Sequence, residues 1–169
     1  MIFVGYQGIG KSTLAKQFVK VIDLESGNFW VPKSEQDYTD PEPELVRPDD
    51  WYKYYVNIAK HLSDQGKLVF VSSHKQVREE LNKRNIDFGV IFPSMTIKVE
   101  WLNRLKNRFD NTHLEKDFKA WQNAEQMFDE NIEDLSNEKH TWTLTSEDYD
   151  VNDLINILTE FEEWIKNNK

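Results

Sequence analysis

Residues 5–12, GYQGIGKS, constrain this chain more than any other stretch. Gly5, Gly8 and Gly10 are followed at once by Lys11 and Ser12, in the spacing G-x-x-x-x-G-K-[ST]. Glycine adopts positive φ without strain and lets the backbone come close to a ligand. Successive N–H groups in such a loop converge on an anion, and a helix that follows adds positive partial charge. A lysine at this spacing reaches the outer phosphates as a point charge, and the serine hydroxyl suits Mg²⁺. The pattern requires a strand before it and a helix after it. Residues 1–4 (MIFV) are apolar, and residues 11–18 place Leu14, Ala15 and Phe18 at helical spacing. The segment therefore predicts a nucleoside triphosphate site. Its contacts would come from Gly5, Gln7, Gly8, Ile9, Gly10, Lys11, Ser12 and Thr13.

Charge narrows the rest. The chain has 169 residues, 30 of them acidic and 21 basic, for a net charge of −9. That surface repels nucleic-acid backbone, and no Lys/Arg block offsets it, so a nucleic-acid polymer is not the expected partner. A small anion remains possible where the few cations converge. There are five arginines: Arg47, Arg78, Arg84, Arg104 and Arg108. Cysteine is absent, which excludes disulfides, thiol nucleophiles and thiolate metal sites. No apolar run approaches the ~20 residues of a membrane span, and the first apolar stretch is too short for a signal-peptide core. The expectation is a single cytoplasmic domain with no membrane contact. Nothing in the sequence sets an oligomeric state.

Along the chain, apolar strand patterns alternate with helical ones. Strands are expected at 1–4, 19–23, 67–72, 87–92 and 140–144. Helices are expected at 11–18, from 49 or 50 to about 65, and at 75–84, 96–108, 116–135 and 151–166. The strand runs are continuously apolar, as in a parallel sheet covered on both faces. Residues 27–50 read as a long functional loop holding four of the five prolines, and 109–115 as a polar link. In such sheets ligands bind beyond the carboxyl ends of the strands, which directs attention to the residues after Val4, Asp23, Ser72, Phe92 and Leu144.

The glycine–lysine–serine loop and the strand–helix order resemble the P-loop NTPases. The implied fold is α/β and three-layered, with a five-stranded parallel sheet flanked by helices. The GTPase markers D-x-x-G and N-K-x-D are absent. Three features resemble the adenylate-, gluconate- and shikimate-type kinases. Asp23-Leu24-Glu25 stands where those kinases place D-x-D. The resemblance makes Asp23 a Mg²⁺-side acid together with Ser12, and leaves open whether Asp23 or Glu25 takes a proton from the acceptor. Arg104 and Arg108, four apart on a helix, resemble the arginines leading into a lid. In that comparison Arg104 packs on adenine, Arg108 contacts phosphate, and residues from about 109 to 116 form a short lid. The stretch VFVSSHKQVREEL resembles a third-strand segment, with Ser72, Ser73 and His74 facing the site. No acid ends that strand, and His74 reads as a turn residue rather than a base. The DLES, VFVSSH and VREEL segments also resemble nucleotide kinases expected in phages and prophages.

The acceptor side is read from residues in and beside the long loop. Phe29, Trp30, Tyr38 and Trp51 offer rings, with Trp51 read chiefly as core, and Arg47 and Arg78 offer cations for an acceptor phosphate. Residues 145–150 (TSEDYD) stand where such kinases hold the adenine edge. The expected chemistry is transfer from ATP·Mg²⁺, with Lys11, Asp23, Glu25, Arg104 and Arg108 catalytic. The acceptor would be a nucleoside or nucleotide. A small hydroxylated metabolite remains an alternative, as does a nucleotide-binding regulatory role with little transfer.

Overall fold

A computed structural model describes residues 1–34, 39, 42–146 and 148–167. Its centre is β1 (Ile2–Gly5), all four residues of which are buried. Bulky apolar side chains on both faces leave this strand no stable place except the middle of a sheet. On one side β1 pairs in parallel with β5 (Leu68–Ser72), and β5 pairs in parallel with the short edge strand β2 (Val21–Asp23). On the other side it pairs with β6 (Phe88–Pro93), which pairs with β7 (Thr141–Leu144). The order is β2-β5-β1-β6-β7, a five-stranded parallel sheet, as the sequence predicts. The chain leaves the central strand toward one edge and later returns to build the other. This places the loop after β1 at the point where the winding reverses.

Among the described residues six α-helices flank the sheet: α1 (Lys11–Gln17), α2 (Trp51–Asp64), α3 (Lys75–Lys83), α4 (Lys98–Thr112), α5 (Glu115–Ser136) and α6 (Val151–Asn167). Helix α6 seats Phe161 edge-on against Phe3 of β1 and against Trp142 of β7. Gly89 lies opposite Phe3 in the register, and a Cβ there would stand 2.4 Å from the Phe3 ring. Tyr55 of α2 is wholly buried and its hydroxyl joins two strand ends. It donates to the Leu24 carbonyl at 2.5 Å and accepts from the Ser72 N–H at 2.9 Å.

Three expectations are corrected. The second strand starts at Val21 rather than Val19, which is 89% exposed. Phe18 caps the end of α1 and is exposed instead of joining its buried face. The polar link at 109–115 is mostly helix: α4 continues to Thr112 and α5 starts at Glu115, leaving His113 and Leu114 between them. His113 takes the left-handed conformation, φ 52°, that ends α4 and turns the chain back. The long loop carries structure of its own, an antiparallel ribbon of β3 (Val31–Pro32) and β4 (Leu45–Val46).

Candidate functional site

The 5–12 loop is fixed by its carbonyl groups. The Lys11 ammonium donates to the Gly5 oxygen at 2.9 Å and the Tyr6 oxygen at 3.0 Å. The Trp101 indole N–H donates to Gln7 O at 3.0 Å, and the Tyr149 hydroxyl donates to Gly8 O at 3.4 Å. Four successive carbonyls are thus satisfied by side chains. Gly8 and Gly10 turn the loop with φ of 89° and 93°. A Cβ on Gly5 would lie 2.6 Å from Ile9 Cδ1 and 2.8 Å from the Lys11 stem, so both side chains would have to shift to admit one. Burial pulls the Lys11 ammonium below its ordinary pKa. Asp23 and Glu25 pull it back up, and Arg108 adds repulsion that lowers it further. Asp23, Glu25 and Arg108 are thus close enough to Lys11 to act on its charge.

Beside the loop lies a cleft of about 890 Å³ bounded by the ends of β1, β2 and β5 and by one side of α5. On its floor the Ser12 hydroxyl donates to Asp23 Oδ2 at 2.6 Å. The hydroxyl and carboxylate together form a hard-oxygen pair of the kind Mg²⁺ accepts. Among the described residues no group of three or more acidic or imidazole side chains gathers for a metal. Glu25 pairs with Lys116 of α5 at 3.5 Å, and Arg108 with Asp117 at 3.0 Å.

On the far side of the cleft, Arg47 lies between two indoles. Its guanidinium is 4.8 Å from the Trp30 ring and 4.3 Å from the Trp51 ring. One end donates to Ser26 O at 2.9 Å and the other faces His74 Nε2 at 3.2 Å. Arginine only donates, so His74 Nε2 carries the lone pair, and Nδ1–H points to Ser72 Oγ at 2.9 Å. Desolvation, aided by the Arg47 charge, pushes His74 down to about 4. Its only free lone pair is already held by Arg47, in agreement with a turn residue rather than a base.

A second hollow, about 240 Å³, opens on the outer side of the loop between Gly8, Ile9, Gly10, Thr13 and the segment before α6. Arg104 roofs it, 5.0 Å from the Trp101 ring and 4.8 Å from Tyr149, and these two rings stack at 18°. Burial pushes the Tyr149 phenol up to about 12, so it stays a donor. Ile9 contributes backbone here, since its side chain is in the core. Tyr149 and Asp150 of the TSEDYD segment line this hollow.

The chain matches no family model, and no characterised protein compared with it is similar enough to stand as a relative.

Some expected site residues lie elsewhere in role. Arg78 is 4% exposed, and its fork is taken by Asp134 and by Glu138 at 2.6 Å, with Nε donating to Ser73 O. It ties α3 to α5 and has no free face for an acceptor phosphate. Phe29 packs on Trp51 and Tyr55 and does not line the cleft, whereas Trp30 does. Trp51 is core, as expected, at 4% exposure. Tyr38 lies outside the described residues. The largest omission from the sequence reading is α5. Lys116, Asp117, Lys119, Asn123, Asn131 and Asp134 form one wall of the cleft, and Gln7 is tied to that wall through Ala120 O at 2.7 Å. Their helical spacing is visible in the sequence, but it looks the same as an ordinary solvated face.

Proposed function

We propose that this chain is an ATP-dependent phosphotransferase with a P-loop kinase site, acting on a small acceptor of the nucleoside or nucleotide class. The observation that carries the reading is the 5–12 loop, whose carbonyls at Gly5 to Gly8 are all held by side-chain donors beside a cation-lined cleft. Tyr6 N–H is spent on Ile91 O at 3.0 Å, and with its carbonyls held the loop can turn its remaining N–H groups toward an anion. The triphosphate lies along the loop, its base in the hollow under Arg104 and its outer phosphates near Lys11 and Arg108. Ser12 and Asp23 would hold Mg²⁺, which would supply neutralisation of phosphate charge.

The acceptor enters between Trp30, Arg47 and the end of β5. Trp30 is 48% exposed, and a ring so placed suits a nucleobase. The γ-phosphorus–oxygen bond to ADP breaks as a bond to the acceptor oxygen forms. Where the acceptor oxygen is a hydroxyl, its proton goes to a carboxylate; a phosphate acceptor attacks already deprotonated. Asp23 is engaged by Ser12, which leaves Glu25, at 51% side-chain exposure and loosely paired with Lys116, to receive it. Lys11 and Arg108 stabilise the charge on the transferred group.

The test is ADP formation with ATP·Mg²⁺ against nucleosides, ribo- and deoxynucleoside monophosphates, polyols and hydroxy acids, with Lys11→Ala as control. A phosphorylated nucleoside or nucleotide, absent with the control, is the expected product. Transfer to a polyol or hydroxy acid alone replaces the acceptor class. A second reading rests on one observation: β5 ends in Ser72, with no acid for the metal. Tight ATP binding with no transfer to any acceptor would establish a nucleotide-binding regulatory protein instead.

A further inference from the structure

Of the three arginines that line the cleft, Arg78 and Arg108 are in opposite states. Arg78 spends its N–H groups on two carboxylates and a carbonyl. Among the described residues Arg108 meets one carboxylate, Asp117, with Nε 3.0 Å from Oδ1. That contact is an ion pair without hydrogen-bond alignment, for Arg108 Nε is buried with no hydrogen-bond partner. The charge of Arg108 is balanced, yet its donors are not consumed.

Asp117 is built to hold this position. It is 5% exposed, although it sits in the first turn of a surface helix. A first-turn acid is favoured by the helix dipole alone. Glu115 already meets that need and is exposed, paired with Lys119 at 2.5 Å. Asp117 instead turns inward, where the Thr112 hydroxyl donates to Oδ2 at 2.6 Å. The two-residue turn at His113 and Leu114 brings the last turn of α4, with Arg108 and Thr112, against the first turn of α5. Oδ2 is thereby fixed, and Oδ1 faces Arg108. Arg108 repels Lys11, so a second cation beside the loop is unfavourable until phosphate arrives. A carboxylate locked behind Arg108 offsets that repulsion in the free protein.

We propose that Asp117 is a positioning residue that holds Arg108 in place for the outermost phosphate of a bound nucleoside triphosphate. The clamp is therefore formed before the nucleotide binds and is not carried in by a mobile lid. This rests on the triphosphate reading of the 5–12 loop and is independent of whether transfer follows.

The test measures Kd for ATP·Mg²⁺ and for ADP·Mg²⁺ by calorimetry, using the full chain and the variants Asp117→Asn, Arg108→Ala and both together. Asparagine keeps an oxygen for Thr112 and removes the charge. The wild type should prefer ATP, and each single variant should reduce that preference by roughly ten-fold, the scale of one charge-assisted hydrogen bond. The double variant should lose no more than either single one, because both act through one contact. Thermal unfolding of each variant separates this from misfolding. Should Asp117→Asn unfold, Thr112→Val loosens the carboxylate while keeping its charge and should reduce the preference partially. An unmoved ATP preference in a folded Asp117→Asn, or losses that multiply in the double variant, would overturn the inference alone. A wild type that binds no nucleotide would sink the triphosphate reading and this inference with it.

Discussion

At the scale of single residues, the site depends on which polar atoms are already used. Arg108 keeps its donors, so Arg108→Ala should lower turnover more than it weakens ATP binding, because phosphate charge shifts most in the transition state. Steady-state kinetics beside binding measurements check this, and equal losses would place Arg108 in ground-state binding only. Ser12 and Asp23 share one short hydrogen bond. Asp23→Asn should raise the Mg²⁺ concentration needed for half-maximal activity while leaving the protein folded, as a Mg²⁺ titration will read. His74 gives a pH prediction. Its folded value of about 4 lies below the ordinary 6.5 because burial and Arg47 oppose its charged form. The neutral ring therefore contributes stability fully above pH 6.5, and that contribution falls away as pH drops from 6.5 through 4. Proton NMR of the imidazole should find no titration near 6.5, and His74→Gln should flatten the acid limb of a stability profile.

At the scale of elements, close fits decide more than propensity does. Gly89 is matched to the Phe3 ring across β1 and β6, so Gly89→Ala should destabilise by about 1–3 kcal/mol through overpacking. Urea unfolding measures it. Arg78 holds α3 to α5, and its partner Glu138 has a side chain only 12% exposed. Arg78→Ala should therefore cost about 3 kcal/mol by leaving a buried carboxylate unpaired. A neutral outcome would return Arg78 to the acceptor side. Strands β1, β5 and β6 were legible as apolar runs, because burial on both faces removes polar positions. The ribbon of β3 and β4 was not: each strand has two residues and a proline falls in one, so no periodicity can develop. The helical continuation to Thr112 was hidden by Asp110, Asn111 and Thr112, weak helix formers that packing of α4 on α5 overrides.

At the scale of the whole molecule, charge is sorted by place. The chain carries −9, yet the large cleft takes eight of its 21 basic residues and four of its 30 acidic ones. A polyanion is repelled by most of the surface and attracted at one opening, so capture should depend strongly on salt. Stopped-flow association of ATP·Mg²⁺ should slow by roughly ten-fold from low to high ionic strength, with a smaller change in dissociation. No helix among the described residues is long and apolar enough to cross a membrane.

The sequence by itself determined the glycine-rich turn between a strand and a helix, and the parallel sheet around it. It could do so because glycine spacing, apolar runs and strand-end position are local properties that backbone geometry translates directly into place. Tertiary structure alone decided that Arg78 is a strut and Arg108 is not, and that α5 is a wall of the cleft. Those outcomes depend on which carboxylate a guanidinium meets across 9 to 60 residues of chain. Ion pairing between different helices leaves no periodic trace in either partner.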